Sequence, residues 1–279
     1  MTPAAFFPMR HIRIVLVRTR FPENIGMAAR AAANMGISDL VLVNPERWDR
    51  DKAAPLATGK GLDVLHAARI TPTLADALGG CIRAFGTTAR TGGWRQQTVT
   101  PSTAAESIIT AIAGEFGSTG CAVPETAIPA EKPAQQGAPE YVALVFGPED
   151  KGLENAEIEL CTDLVTIPTA PGASSLNLAQ SVLLLAYECF TKSLVHACPI
   201  EKKSCAGKHS RLTTIQEQET LFASLQQVLE RVDFLPKNNP EWFMLPLRRF
   251  FRRASLHRHE FDLFMGICRN ISRHLRKTD

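Results

Sequence analysis

Five short apolar runs, separated by helical patterns, constrain the fold of this 279-residue chain more than any other feature. They are Ile12–Val17, Leu40–Val43, Ile82–Gly86, Tyr141–Phe146 and Leu164–Ile167. Each is predominantly apolar rather than alternating, so each needs cover on both faces, as in a mostly parallel sheet. Between them the spacing predicts helices over Asn24–Met35, around Asp63–Ala68, and over Pro101–Ala113 and Ser175–Ser193. Strands alternating with helices define an α/β class with a parallel sheet. No internal repeat interrupts this order.

Two stretches lack periodicity. Gly117–Pro139 is a mixture of Pro, Gly, Ala and Glu, expected to form a mobile insertion loop over 117–139. Cys198–His209 reads as a linker, placing boundaries at 1–197, 198–211 and 212–279. Beyond it, Thr213–Val232 is an amphipathic helix whose start, Thr214-Ile215-Gln216-Glu217, has the capping-box spacing. Phe234–Pro240 breaks the pattern, and two more helices are expected over Glu241–Ser255 and His259–Leu275.

Charge separates the two parts. Residues 1–201 carry 16 basic against 20 acidic side chains, whereas 202–279 carry 15 against 8. A basic helical tail on a mildly acidic domain fits a polyanionic partner, although a solvated surface would have the same composition. The seven cysteines are scattered with no C-x-x-C pair, so neither a disulfide framework nor a metal site is expected. The longest wholly apolar stretch, around Val182–Tyr187, is far short of a membrane span, and Met1–Arg10 has no signal-peptide core. A cytoplasmic protein is expected. No G-x-G-x-x-G or P-loop occurs, which disfavours nicotinamide and nucleoside triphosphate ligands.

Three segments following strands carry chemistry. In Phe21-Pro22-Glu23-Asn24-Ile25-Gly26-Met27-Ala28-Ala29-Arg30, Asn24 has the character of an N-cap, and Arg30 falls in the first or second turn. The residues alone leave two readings, an anion site at an open helix start or close packing of small side chains. In Val145–Leu153, Gly147 permits close backbone approach, and Glu149 and Asp150 face the carboxyl edge of the sheet; a plain strand-to-helix turn explains them equally. In Ile167–Val182, an irregular Pro168–Ala173 precedes a helix capped by Ser174 or Ser175, with Asn177 in its first turn. Gly86-Thr87-Thr88-Ala89 adds one more small-residue turn at a strand end.

In their order these segments resemble the SpoU branch of the SPOUT RNA methyltransferases. Asn24-Ile25-Gly26…Arg30 is similar to the first motif and Phe146-Gly147-Pro148-Glu149…Gly152-Leu153 to the second. Ile167-Pro168…Ser174-Ser175-Leu176-Asn177-Leu178-Ala179 is similar to the third. The resemblance implies a parallel sheet ending in a deep trefoil knot, a homodimer, and S-adenosylmethionine-dependent 2′-O-methylation of RNA ribose. It implies cofactor contacts at Thr87, Thr88, Ala89, Gly147, Ile167, Ser174, Ser175 and Leu176. Arg30, Ser175, Glu149, Asn24 and Asn177 become the catalytic set.

The tail pattern Phe234-Leu235-Pro236…Asn239-Pro240…Leu247-Arg248…Arg253-Ala254 resembles the C-terminal extension of the TrmJ group. That implies tRNA as substrate, methylated on cytidine or uridine 32 of the anticodon loop. The alternatives are ribosomal RNA, another tRNA position, or an inactive RNA-binding relative. Within the tail, Arg248, Arg249, Arg252 and Arg253 are the expected RNA contacts, with Phe250 and Phe251 packing inward or stacking on bases. Arg30 is always charged and a poor base, so its expected role is to hold a phosphate and stabilise developing alkoxide charge.

Overall fold

The computed structural model describes residues 8–89, 98–116, 141–172, 176–196, 210–236 and 239–278. Contacts divide the chain into two units, Met1–Glu201 and Lys202–Asp279. Among the described residues, the first unit contains seven strands: β1 (Ile12–Val17), β2 (Asp39–Val43), β3 (Arg69–Thr71), β4 (Cys81–Thr87), β5 (Thr98–Val99), β6 (Tyr141–Phe146) and β7 (Asp163–Val165). They form one sheet in the order β3-β2-β1-β6-β4-β7-β5, and every ladder is parallel. β1 is buried at all six positions, Arg13 included, and β6 at all but Tyr141, as strands covered on both faces require.

Its helices are α1 (Pro22–Asn34), α2 (Arg50–Ala57), α3 (Lys60–His66), α4 (Leu74–Ala77), α5 (Pro101–Phe116), α6 (Asn155–Ile158) and α7 (Leu178–His196). The five expected strands occur. β3 and β5 go unannounced because they are three- and two-residue edge pieces with no buried face to leave a pattern. α2 is likewise silent: it is polar, contains Pro55, and starts where the Asp49 carboxylate accepts the Asp51 and Lys52 amides.

Two helix starts correct the sequence reading. α1 begins at Pro22, whose fixed φ suits the first helical position, and Phe21 occupies the cap. Asn24 is therefore inside the first turn, and its side chain is engaged elsewhere. Arg30 falls in the third turn. At the other helix, Asn177 is the cap of α7: its Oδ1 accepts the Ala179 amide at 2.9 Å, and Gln180 Oε1 accepts the Asn177 amide at 3.3 Å. Ser174 and Ser175 lie outside the described residues, as do 117–139 and 198–209.

Gly26 decides between the two readings of the first segment. A Cβ there would lie 2.0 Å from the Ala53 carbonyl oxygen, so the small residues of α1 serve close packing against α2. α7 carries a further difference, since by length and composition it is apolar enough to cross a bilayer. Leu178, Val182, Leu185, Ala186 and Cys189 are nevertheless buried within the unit, where α7 lies against α1 and α5.

The second unit has α8 (Ile215–Arg231), α9 (Pro240–Arg253) and α10 (Arg258–Thr278) around Leu221, Phe222, Leu235, Met244, Phe251, Leu256 and Phe261. The predicted capping box is present: Thr214 accepts the Glu217 amide and Glu217 accepts the Thr214 amide. The segment before α8 is tied to the one before α10, with Thr213 N–H donating to the Leu256 carbonyl at 2.9 Å.

Candidate active site

The strand order reverses direction at β1. The connection after β1 leads to β2 on one side, while its other neighbour β6 leads through α6 to β7 on the far side. Open α/β sheets bind ligands at the carboxyl ends of strands near such a switch point. A cavity of about 410 Å³ opens there, at the ends of β4, β6 and β7. Thr87, Thr88 and Ala89 form one wall, Gly147–Leu153 a second, and Ile167, Thr169, Leu176, Leu178 and Ser181 the rest.

Backbone bonds hold these walls together. Thr88 N–H donates to the Val165 carbonyl at 3.0 Å, and the Thr87 hydroxyl donates to the Val145 carbonyl at 3.2 Å. After β6 the chain folds tightly upon itself, with Gly152 N–H donating to the Pro148 carbonyl at 3.0 Å. A Cβ at position 147 would stand 2.4 Å from the Gly152 carbonyl carbon and the Leu153 nitrogen, so only glycine fits. Gly152 itself has φ of +67°, a conformation that side chains disfavour.

A second, more open cleft of about 510 Å³ adjoins the cavity and shares Glu149 and Leu176 with it. Phe21, Glu23, Asn24 and Asn177 complete its lining. Between cavity and cleft runs a polar relay whose direction is set by the cap of α7. Because Asn177 Oδ1 accepts backbone amides, its Nδ2 must donate, and it does so to Asn24 Oδ1 at 3.0 Å. Asn24 Nδ2 then donates to Glu149 Oε1 at 2.6 Å. The other Glu149 oxygen accepts the Arg20 amide at 3.2 Å. Glu149 is thus an acceptor at both oxygens, which suits the ionised carboxylate.

Three of the five expected catalytic residues, Asn24, Glu149 and Asn177, are therefore brought into one hydrogen-bonded set. Ser175 lies outside the described residues. Arg30 is not part of the set: it is exposed, lines neither hollow, and makes no hydrogen bond or ion pair with a described residue. It shares a stripe of α1 with Glu23 seven residues earlier, about 10 Å along the axis. Of the expected cofactor residues, Thr87, Thr88, Ala89, Gly147, Ile167 and Leu176 all line the cavity; Ser174 is undescribed.

Arg20 escaped the sequence reading. Its guanidinium reaches Asp150 at 2.7 Å and Glu46 at 3.3 Å, bracing the loop after β6. Its position just beyond the end of a buried strand was the available signal.

The tail arginines divide. Arg248 and Arg252 both bind Glu219, at 2.6 and 2.7 Å, and both lie over the Phe222 ring. Arg252 is 5% exposed. Both pair within the unit, Arg252 with its guanidinium buried on Glu219 and Arg248 with its side chain partly exposed. Arg249 is half-buried, and Arg253 is exposed with no ion pair to a described residue. Phe251 packs inward, whereas Phe250 is exposed.

Comparison with known proteins agrees with this geometry. Residues 11–187 match the SpoU rRNA Methylase family, and residues 216–279 match the tRNA methyltransferase TrmJ, C-terminal domain. The tRNA (cytidine/uridine/adenosine-2′-O-)-methyltransferase TrmJ of Pseudomonas aeruginosa is 35% identical over 260 residues, covering 92% of this chain and 91% of its own. The tRNA (cytidine/uridine-2′-O-)-methyltransferase TrmJ of Yersinia enterocolitica is 33% identical over 268 residues, covering 95% and 93%. The crystal structure of TrmJ from Z. mobilis superposes with a TM-score of 0.70 at 29% identity, covering 93% of this chain and 98% of that one. The chain belongs to the SpoU methylase family and carries a TrmJ-type C-terminal domain.

Proposed function

We propose that this chain is an S-adenosylmethionine-dependent tRNA 2′-O-ribose methyltransferase acting on cytidine or uridine 32. The observation that carries the reading is the pairing of a partly open cavity with a more open cleft that meet at Glu149 and Leu176. One hollow suits a small ligand and the other a larger one that must approach it. Relatives named as tRNA 2′-O-methyltransferases match over both units, which favours tRNA over ribosomal RNA. Position 32 rests on the resemblance of the tail.

The cavity fits S-adenosylmethionine in size and lining. About 410 Å³ lies in the range of small-ligand sites, and its walls mix apolar side chains with strand-end backbone groups. Thr87–Ala89, Gly147, Ile167 and Leu176 would hold the cofactor, with Ser174 and Ser175 joining them by resemblance. When bound, it supplies a methyl group on a sulfonium sulfur.

The protein's own task is alignment of the ribose hydroxyl beside the cavity mouth. Asn24, Asn177 and Glu149 fix one another and so keep the shared wall rigid. Arg30 presents a guanidinium with no partner among the described residues, which can hold a phosphate and stabilise negative charge developing on the ribose oxygen. The family fold closes the C-terminal part of the sheet as a deep trefoil knot. Assembly as a homodimer is supported by Leu183, Leu184 and Tyr187, which leave an apolar face exposed on α7. The basic tail docks the tRNA, and the enzyme works in the cytoplasm.

The deciding experiment incubates the protein with labelled S-adenosylmethionine and total tRNA or ribosomal RNA, then maps the modified nucleotide. Label on the ribose of nucleotide 32 of tRNA is expected. Label confined to ribosomal RNA, to another position or to a base overturns the assignment.

A further inference from the structure

The C-terminal unit contains arginines of two kinds. Arg211 and Arg258 bind Glu217, Arg258 also reaches Asp262 at 3.2 Å, and Arg248 and Arg252 share Glu219. Arg269 and Arg273 on α10 are different. Neither has an acidic partner among the described residues. Arg269 uses only its Nε, on the Met265 carbonyl of its own helix at 3.2 Å, and Arg273 makes no hydrogen bond with a described residue.

These two arginines are one helical turn apart and border the same cleft, about 270 Å³ between α10 and α8. Ser272 adds a hydroxyl, Ser224 and Gln227 face it from α8, and no lining residue is acidic. Glu230, three residues beyond Gln227, is occupied in accepting from Gln226 at 2.8 Å. Two like charges at i and i+4 with no counter-charge destabilise a helix slightly. An anion seated between them would reverse that cost and satisfy guanidinium N–H groups that have no partner among the described residues.

Resting on the reading above that the tail docks tRNA, we infer that the α8–α10 cleft is where the C-terminal unit grips a backbone phosphate of its RNA. The site moves the docking surface from the Arg248–Arg253 run of α9, half of which is paired internally, to α10. Guanidinium forks and a hydroxyl are suited to the sugar–phosphate backbone. The proposed contact is to phosphate, which positions tRNA rather than specifying its sequence.

The test uses the full-length protein and measures tRNA binding across a salt series, with cofactor binding as a control for folding. Arg269→Ala/Arg273→Ala should weaken tRNA binding about tenfold near physiological salt and make the log–log salt slope shallower by about 0.8, the loss of one phosphate contact. Gln227→Glu, an exposed substitution that removes no contact in the structure, should weaken binding in the same direction by placing a carboxylate in the cleft. Cofactor affinity should be unchanged in both. Wild-type affinity and slope in the Gln227→Glu variant overturn the site, whatever the double variant does to folding. If the unaltered protein fails to bind tRNA even at low salt, the docking reading itself falls. Unchanged binding in the variants alone removes only the cleft.

Discussion

The two units handle polarity in opposite ways. At the sheet's carboxyl edge the polar side chains are committed to one another: Asn177 to Asn24, Asn24 to Glu149, Glu149 to the Arg20 amide. What remains for a ligand is shape, backbone and a few side chains such as Lys151. In the C-terminal unit some cations are spent on Glu217 and Glu219, while Arg253, Arg269 and Arg273 stand without acidic partners among the described residues. A site for a small ligand gains from rigidity, since misplacement costs rate. A surface for a long polyanion gains from charge left uncompensated. A net count of charges therefore identifies the kind of partner but not the residues that meet it.

The comparison is broken most severely at Gly147. Gly147→Ala forces a Cβ into the Gly152–Leu153 backbone, and strain of about 3 kcal/mol corresponds to roughly a hundredfold loss of S-adenosylmethionine affinity. Calorimetric titration checks this, and tRNA binding by the tail should persist in the same variant. Next in size is Asn24→Ala, which leaves Glu149 Oε1 and Asn177 Nδ2 unanswered. Loss of a hydrogen bond to a charged group, about 1.5–3 kcal/mol, should lower kcat roughly tenfold to a hundredfold with little change in KM for tRNA. An effect on KM alone would show that the relay serves binding only.

In the second unit, Arg252→Ala and Arg253→Ala separate structural from free cations. The first should destabilise the unit by about 1–3 kcal/mol, seen as a lower melting temperature, because Arg252 is buried on Glu219. The second should change stability by less than about 0.5 kcal/mol. The smallest effect is a pH dependence at Glu217. Burial raises its pKa, but hydrogen bonds from Arg211 and the Thr214 amide, with the charges of Arg211 and Arg258, outweigh that and hold it at about 2, below the ordinary 4.5. A carboxylate with a depressed folded-state pKa contributes stability above the unfolded value and loses it as pH falls towards the folded one. Melting of the C-terminal unit should therefore drop between about pH 4.5 and pH 2, and Glu217→Gln should flatten that drop.

Much of the α/β unit was legible because its signals are local. β1 and β6 match their predicted limits residue for residue, since every residue of β6 and all but Arg13 of β1 are apolar. The capping box at Thr214 was equally plain, as its partners are three residues apart. The caps of α1 and α7 were misread for a physical reason: Asn24 and Asn177 are both competent caps, and which amide bonds to backbone depends on a partner 153 residues away. The pairing of Arg248 and Arg252 with Glu219 was not legible, because Glu219 lies on another helix.

Composition and period alone determined a parallel α/β domain followed by a basic helical tail, and the ordered motifs pointed to the methyltransferase family. Tertiary structure decided which side chains face the cavity, which way the Asn177–Asn24–Glu149 relay runs, and which arginines are left for a polyanion. Burial periodicity is written along one segment at a time. A hydrogen bond or ion pair between distant segments exists only once the chain has brought both ends together.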